Sequence, residues 1–432
     1  MTRSELASLL GAPAGTLTEP GTRPVVIAEE DPKRFMAALA RAAASGNDVF
    51  LADPNWGENE RSQLSALVDL QVSGSRSQVS QAARGWLLVP TGGTSGTLKF
   101  ARHDEETLSA AVRGFTQHFG LPQVNAMGVL PLHHVSGLMA WLRCALTGGE
   151  YLPLNWKAVE GGEFPALPPK PGGWVISLVP TQLERLLRGG PVSQPAKVGR
   201  ETDPPGNAVR WLRQFRIIFL GGAPAWPALL DAAAARQLPL SLGYGMTETA
   251  AMITALRPAE FLAGDRSSGA ALPHAAVQIG EGERILLTGP SLFRGYYPGW
   301  RETADFSTQD RGELDGRGHL RVLGRIDAVI ITGGEKVEPA ELEAVLRGTG
   351  QFAEIVVLGL PDSRWGQQVV AVYPGNAHPN FHDVITATNR LADYKRPKRF
   401  IPLVGAWPAN AQGKVNRAEL LERVIAQLKV RR

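Results

Sequence analysis

A loop of small and hydroxyl residues that ends in a lysine is well suited to bind an anion. It spans residues 90–99 and contains three glycines and four hydroxyl side chains. Glycines let backbone N–H groups turn toward a ligand, and the hydroxyl and ammonium groups add donors. The loop therefore suits a polyphosphate, although a flexible polar loop has the same composition. It is not a Walker A loop, because no Gly-Lys-Ser/Thr follows at the required spacing. The candidate phosphate-binding residues are Thr91, Gly92, Gly93, Thr94, Ser95, Gly96, Thr97 and Lys99.

A second segment, residues 243–249, combines aromatic, hydroxyl and carboxylate groups in the order Gly-Tyr-Gly-Met-Thr-Glu-Thr. Tyr244 can stack on a flat ring of a ligand, and Thr247 can hydrogen-bond a phosphate oxygen. Glu248 can bind Mg²⁺, because that ion prefers carboxylate and phosphate oxygens. An ordinary polar turn is the alternative interpretation of this segment.

Two further segments follow predicted strands. Residues 130–138 read Leu-Pro-Leu-His-His-Val-Ser-Gly-Leu, which suits either a ligand pocket or a helix start capped by Ser136. Residues 219–224 run from a strand into a glycine turn, and ligands of open α/β sheets bind at such carboxyl ends. The adjacent His133 and His134 have no carboxylate or cysteine nearby, so the sequence predicts a poor metal site there.

The spacing of apolar residues predicts an α/β architecture. The chain of 432 residues is too long for one ordinary domain and fits two or three. A helix is predicted over residues 32–45, and strands over 48–52, 86–89, 129–131, 174–179 and 215–220. Strands that alternate with helices favour mainly parallel sheets.

Charge and cysteine content exclude several classes of protein. The formal net charge is +4, and the basic cluster at 395–399 is too short and too poor in aromatic residues for a nucleic-acid site. The single cysteine, Cys144, excludes intramolecular disulfides and zinc sites of several cysteines, and we expect it in the core. The chain shows neither a signal-peptide pattern nor an apolar run of about 18 residues, so we expect a cytoplasmic protein.

The order and spacing of these segments resemble the adenylate-forming superfamily of acyl-CoA synthetases, luciferases and peptide-synthetase adenylation domains. Three later segments extend the resemblance: 307–330, with Asp310 and Arg325; 331–343, with two glycines; and 408–414, which ends in Lys414. Two positions depart from the family pattern. Leu98 stands where a proline is usual before the lysine, and Gln309 stands in place of the glycine before the aspartate.

The resemblance implies a role for each site residue. His103 and Thr247 would orient the phosphates, Glu248 would hold Mg²⁺, and Lys414 would reach the carboxylate and the α-phosphate. Beyond the phosphate loop, the residues implied for the adenosine part of ATP are Gly222, Ala223, Tyr244, Gly245, Asp310 and Arg325. Those implied for the acid pocket are His134, Ser136, Gly137, Gly221 and Met246. Those implied for the pantetheine arm of coenzyme A are Gly333 and Gly334.

The resemblance also implies a fold with a large N-terminal domain of αβ-layered sheets, 1–326, and a small mobile C-terminal α+β domain, 327–432. The hinge would lie at Asp327. The implied activity is an ATP-dependent, AMP-forming acid–CoA ligase that uses Mg²⁺ and coenzyme A and passes through an acyl-adenylate.

Three segments (130–138, 177–187 and 219–224) are most similar to the ligases that activate o-succinylbenzoate in menaquinone and phylloquinone biosynthesis. Another aryl- or acyl-CoA ligase and an adenylating enzyme that loads a carrier protein remain open. A nucleotide-binding protein without activity is disfavoured by the presence of Lys99, Glu248, Asp310, Arg325 and Lys414.

Overall fold

Four β-sheets, named A to D, and the helices around them form the fold. The computed structural model describes residues 1–12, 23–73, 85–91, 97–189, 206–408 and 415–430. The α/β fold class predicted from the sequence is confirmed. No helix within these ranges has the length and apolar character needed to cross a membrane.

Sheet A carries the ends of the phosphate loop. Its strands are β1 (Val25–Ile27), β2 (Val49–Leu51), β3 (Leu87–Thr91) and β4 (Lys99–His103), and its helices are α1 (Arg3–Leu9), α2 (Pro32–Ala44) and α3 (Glu58–Ser73). Helix α2 begins at the predicted position because the Asp31 carboxylate accepts from the Arg34 N–H and Pro32 occupies the first turn. Strands β3 and β4 pair antiparallel, so Thr91 lies opposite Lys99 across the loop.

Sheet B forms the centre of the molecule and orders its strands β11-β10-β9-β8-β7-β5-β6. The strands are β5 (Asn125–Gly128), β6 (Tyr151–Pro153), β7 (Trp174–Leu178), β8 (Ile217–Leu220), β9 (Leu240–Met246), β10 (Ala251–Ala255) and β11 (Ala270–Ala271). The helices are α4 (Glu105–Phe119), α5 (Val135–Thr147), α6 (Trp156–Glu160), α7 (Pro180–Arg188), α8 (Asn207–Leu212), α9 (Pro227–Ala235) and α10 (Pro258–Leu262). Pairing is parallel from β6 to β9, so the carboxyl ends of β5, β8 and β9 meet at one edge.

The prediction of a strand at residues 129–131 is wrong, because the strand lies just before these residues. The observed strand β5 ends at Gly128, and the following residues begin a loop. Val129 and Leu130 are apolar because they pack in the largest core cluster, and Pro131 has no N–H to donate to a ladder. Apolar character alone therefore did not distinguish a strand from a buried loop.

Sheets C and D follow along the chain. The antiparallel sheet C contains β12 (Ala276–Ile279), β13 (Arg284–Thr288), β14 (Asp305–Leu314) and β15 (Leu320–Arg325). Sheet D contains β16 (Ile330–Thr332), β17 (Glu335–Val337), β18 (Val356–Asp362), β19 (Gly366–Pro374) and β20 (Arg399–Leu403), with helices α11 (Pro339–Gly348), α12 (Phe381–Thr388) and α13 (Arg417–Val430). Two core clusters built from residue 330 onward pack against sheet D.

A buried carboxylate, Asp104, connects sheet A to the segment that follows sheet C's second strand. Asp104 caps helix α4 by accepting from the N–H groups of Glu106 and Thr107, and its side chain is only 1% exposed. The Arg294 guanidinium donates to it from 2.7 Å. Burial alone would raise the pKa of Asp104, but the hydrogen bonds and charge of Arg294 lower it overall.

We predict that Asp104→Asn lowers the free energy of unfolding by about 2–4 kcal/mol, because it leaves Arg294 without its buried partner. Urea denaturation at pH 7 measures the change. The pKa of Asp104 in the folded protein lies below its ordinary value of 3.8. The difference in free energy of unfolding between wild type and variant should therefore shrink as the pH falls below 3.8 and Asp104 becomes protonated. Asp393→Asn is the control, because Asp393 pairs with Arg396 but is 85% exposed. An equal effect of both substitutions would contradict the prediction.

Candidate active site

The described ends of the phosphate loop lie beside an aromatic ring. Thr91 is half-buried, whereas Thr97 and Lys99 are exposed. The Lys99 ammonium is 5.7 Å from the centre of the Tyr296 ring, within range of a cation–π contact. Five of the predicted loop residues lie outside the described residues: Gly92, Gly93, Thr94, Ser95 and Gly96.

Tyr296 also contacts the candidate Mg²⁺ ligand. Glu248 follows strand β9 in a 3₁₀ turn, is 9% exposed, and accepts a 2.6 Å hydrogen bond from the Tyr296 hydroxyl. Burial, and then the charge of Glu248, raise the pKa of Tyr296, so its hydroxyl remains a donor. The remaining lone pairs of a buried carboxylate suit a divalent cation. The sequence analysis missed Tyr296, which becomes recognisable only when its backbone is seen paired with strand β4 at Ala101.

His103 joins strand β4 to the turn at the end of β9. Its ring is fully buried; Nε2 lies 2.7 Å from the Thr247 carbonyl oxygen, and Nδ1 lies 3.1 Å from the Thr107 hydroxyl. Burial lowers the pKa of His103 to about 4, against the opposing hydrogen bond to Thr247. The ring is therefore neutral at pH 7 and donates Nε2–H, because a carbonyl only accepts. In this geometry the His103 ring fixes the position of the Thr247 carbonyl oxygen.

The structure brings together three residues assigned to the nucleoside. The Tyr244 hydroxyl donates to Asp310 from 2.7 Å, and Asp310 lies opposite Arg325 across strands β14 and β15. Burial, and then the charge of Asp310, raise the pKa of Tyr244. Arg325 donates through Nε and Nη2 to both carboxylate oxygens of Asp327, at 2.7 and 2.6 Å.

The residues assigned to the acid pocket follow β5 and β8, or end β9, at the shared edge of sheet B. Gly221 and Met246 are half-buried there, and Gly222 and Ala223, which were assigned to adenosine, are exposed. His134 and Ser136, at the start of helix α5, are also half-buried.

At two of the predicted site positions, close packing of the backbone alone explains why the residue is glycine. A Cβ on Gly137 would lie 2.2 Å from the Pro131 carbonyl oxygen, and one on Gly245 would lie 1.9 Å from the Ala251 carbonyl oxygen. These positions need glycine because another backbone segment passes against them.

The premise that no carboxylate lies near the paired histidines is wrong. Asp53, which follows strand β2, places its carboxylate 3.5 Å from the His133 Nε2 atom. Ligand atoms of Asp53, His133 and His134 all lie within 4.8 Å of one another. The carboxylate was missed because it is distant along the chain and reaches the histidines only through the packing of sheet A against helix α5.

A buried arginine in helix α5 was also missed. Arg143 is 5% exposed, packs over the Phe115 ring at 4.0 Å, and its Nε atom has no hydrogen-bond partner among the described residues. Burial lowers its pKa to about 10, so it remains charged at pH 7. Burial, and then the charges of Arg143 and Arg113, lower the pKa of the neighbouring His274 to about 4. Ser136 and Arg143 are seven residues apart and share one face of the helix.

The described C-terminal candidates lie in sheet D. Gly333 and Gly334 form the turn between β16 and β17, with φ of +58° and +86°, as a two-residue hairpin requires. A Cβ on Gly333 would lie 2.7 Å from the ring of Trp365, which is 48% exposed. Lys414 lies outside the described residues.

Comparisons with known proteins identify the family of this chain. A family model described as AMP-binding enzyme matches residues 17–297. The chain is 33% identical over 351 residues to a 2-succinylbenzoate–CoA ligase of Listeria monocytogenes serotype 4b, covering 77% of this chain and 69% of the relative. It is 30% identical over 362 residues to an indoleacetate–CoA ligase of Aromatoleum aromaticum, covering 78% of this chain and 67% of the relative.

The fold is also similar to solved structures. The o-succinylbenzoate CoA synthetase of Bacillus subtilis in complex with its acyl-adenylate intermediate aligns with a TM-score of 0.72 and 23% identity. The alignment covers 97% of this chain and 91% of that one. The two-domain α/β fold expected from the sequence is therefore shared with this structure.

We predict that the His103 ring is neutral and carries its proton on Nε2 at pH 6, because its pKa is lowered to about 4. Nitrogen-15 NMR of the histidine rings distinguishes this tautomer from the imidazolium. The pKa of His103 is lower in the folded protein than its ordinary value of 6.5, so between pH 6.5 and 4 the unfolded chain binds the proton more readily. Acidification over this range should therefore lower the free energy of unfolding more for the wild type than for His103→Gln. An imidazolium signal from His103 at pH 6 would contradict the assignment.

Proposed function

Because this chain belongs to the AMP-binding enzyme family, we propose that it is an ATP-dependent acid–CoA ligase whose acid is o-succinylbenzoate. A carboxylate oxygen of the acid attacks the α-phosphorus of ATP, the bond to the β-phosphate oxygen breaks, and pyrophosphate leaves. The thiol of coenzyme A then attacks the acyl carbon, loses its proton, and displaces AMP. This step would belong to menaquinone or phylloquinone biosynthesis, and substrates such as ATP and coenzyme A favour a cytoplasmic enzyme.

The observation that carries the proposal is the convergence of nucleotide-type residues at one edge of sheet B. Thr247 and Glu248 follow strand β9, and His103 fixes the Thr247 carbonyl. Thr247 would donate to phosphate, and Glu248 would hold Mg²⁺ with its second face covered by Tyr296. Mg²⁺, when bound, neutralises charge on the phosphates. Positioning and charge neutralisation account for such a reaction without a covalent nucleophile.

The adenosine part of ATP would lie against Tyr244, with Asp310 and Arg325 directed at the ribose hydroxyls. The Tyr244 hydrogen bond fixes one oxygen of Asp310, and the other, which accepts no hydrogen bond from the described residues, can accept from a hydroxyl. Lys99 would reach the β- and γ-phosphates from the loop. Lys414, from the segment beyond residue 408, would reach the substrate carboxylate and the α-phosphate.

Arg143 supports a dicarboxylic acid as the substrate. The described residues give this buried guanidinium an aromatic ring and a neutral imidazole, but no carboxylate. A buried charge without a counter-ion costs several kcal/mol, so an anion supplied by the ligand would be strongly favoured. The carboxylate of o-succinylbenzoate that does not react provides that anion. Ser136, two turns earlier on the same face, offers a hydroxyl to the same ligand.

We further propose that residues 1–326 and 327–432 are two domains that turn about Asp327. Sheet D and its core are built only from residues 330 onward, which supports this boundary. Asp327 lies in a 3₁₀ turn, Ile326–Ala328, that connects sheets C and D. Rotation there would bring Gly333 and Gly334 toward the pantetheine arm for the second step.

A panel of acids tests the substrate. With ATP, Mg²⁺ and coenzyme A, we expect pyrophosphate release to be far faster with o-succinylbenzoate than with benzoate, indoleacetate or octanoate. Only o-succinylbenzoate has a second carboxylate, which does not react and can pair with Arg143. Formation of the CoA thioester, followed by mass spectrometry, separates this enzyme from one that loads a carrier protein. If a monocarboxylate is preferred, the o-succinylbenzoate assignment fails and the acid–CoA ligase assignment stands.

A substitution of Arg143 provides the control for this test. Arg143→Gln should raise KM for o-succinylbenzoate about 10- to 100-fold, equivalent to ~1.5–3 kcal/mol for a lost hydrogen bond to a charged group. Activity toward benzoate should change little, which distinguishes loss of the anion site from general damage. Arg113→Gln, at an exposed arginine of helix α4, is the matched control and should leave both activities unchanged.

The hinge makes a separate prediction. Asp327→Pro fixes φ, so we expect it to spare ATP–pyrophosphate exchange and sharply reduce formation of the CoA thioester. Asp327→Ala removes the ion pair with Arg325 without fixing φ, and should reduce the thioester step much less. Equal loss of both half-reactions in Asp327→Pro would speak against a hinge at this residue.

A further inference from the structure

The one cluster of potential metal ligands found among the described residues lies between sheet A and helix α5. Asp53 follows strand β2, and His133 and His134 immediately precede helix α5. The Asn55 N–H donates to Asp53 Oδ1 from 2.9 Å, which turns Oδ2 toward the histidines. The three side chains therefore reach one point from two separate layers of the fold.

Within this cluster, the His133 imidazole is poorly satisfied by the contacts around it. His133 is 5% exposed, and its Nε2 atom has no hydrogen-bond partner among the described residues. The 3.5 Å from that atom to Asp53 Oδ2 is longer than a normal hydrogen bond. A buried imidazole nitrogen and a largely buried carboxylate oxygen thus face the same small space. Buried polar atoms of this kind generally have a partner, and here a ligand can supply it.

We propose that Asp53, His133 and His134 bind a divalent transition-metal ion of the Zn²⁺ class. Two imidazole nitrogens and one carboxylate oxygen are a typical three-residue zinc set, which leaves a fourth position for water or another ligand. Mg²⁺ and Ca²⁺ do not fit, because they select oxygen ligands. This ion is distinct from the Mg²⁺ assigned to Glu248.

The geometry needs only a small adjustment. Ligands of a tetrahedral Zn²⁺ bound at about 2.0–2.1 Å lie about 3.4 Å apart. The ligand atoms here are within 4.8 Å of one another, and the two imidazole rings have centroids 4.3 Å apart. A bound ion would therefore draw the loop after β2 toward the start of helix α5.

Metal binding by the full-length protein tests the proposal. After EDTA treatment, titration with Zn²⁺ against a chromophoric chelator should give one tight site per chain, and Co²⁺ should give visible d–d absorption bands. Asp53→Asn and His134→Gln should each weaken Zn²⁺ binding about 100-fold. Zn²⁺ should raise the Tm of the wild type but not of either variant.

Two controls keep the outcome decisive. His378 and His382 are exposed and close in sequence, so the double variant His378→Gln/His382→Gln removes the obvious adventitious surface site and should bind Zn²⁺ as the wild type does. Circular dichroism in EDTA checks the fold of each variant. If Asp53→Asn is misfolded, Zn²⁺ binding by His134→Gln tests the proposal instead, because His134 is only half-buried and its substitution should disturb the fold less. Failure of the wild type to bind, or loss of binding only in the double variant, would overturn the proposal.

Discussion

A buried, neutral imidazole holds the two halves of the candidate site in register. His103 ends the strand that leaves the phosphate loop, and its Nε2–H donates to the carbonyl of Thr247 at the end of the central sheet. Because the ring is fully buried, a charged imidazolium would be costly, and the low pKa keeps it neutral. The directional bond therefore fixes where the Thr247 and Glu248 side chains stand relative to Lys99. Asp104, the next residue, extends the connection to Arg294 and so to the segment that carries Tyr296.

The candidate site residues that could be predicted from the sequence are those that stand together in one short segment. Tyr244, Thr247 and Glu248 are adjacent in the chain, and the parallel pairing of β8 and β9 brings the glycine turn after β8 to the same edge. Tyr296, Arg143 and Asp53 were not predicted, because each matters through a contact made across sheets or between distant helices. Single aromatic or charged residues in apolar surroundings give no local signal of that kind.

The glycines show a different limit of sequence-based prediction, because a motif glycine does not reveal why glycine is needed. The sequence assigned Gly137 and Gly245 to ligand contacts, yet a backbone carbonyl occupies the place of a Cβ at both. Gly333 and Gly334 adopt the positive φ that a tight hairpin needs. A glycine in a family motif can therefore be required by packing, by turn geometry or by a ligand, and only the neighbouring atoms distinguish the three. In this chain Gly222 is exposed with a φ of +82°, and a Cβ there would make only an ordinary contact of 3.4 Å with Val179.

The buried charges of Glu248 and Arg143 follow one physical pattern. Glu248 is buried against a tyrosine hydroxyl rather than a basic side chain, and Arg143 is buried against an aromatic ring rather than a carboxylate. Elsewhere, buried charges such as Asp104 have charged partners within the chain. Leaving an ion uncompensated reduces stability, so such residues persist where a ligand supplies the missing charge. A divalent cation suits the first and a substrate carboxylate suits the second, so ligand binding would relieve two costs that folding alone leaves in place.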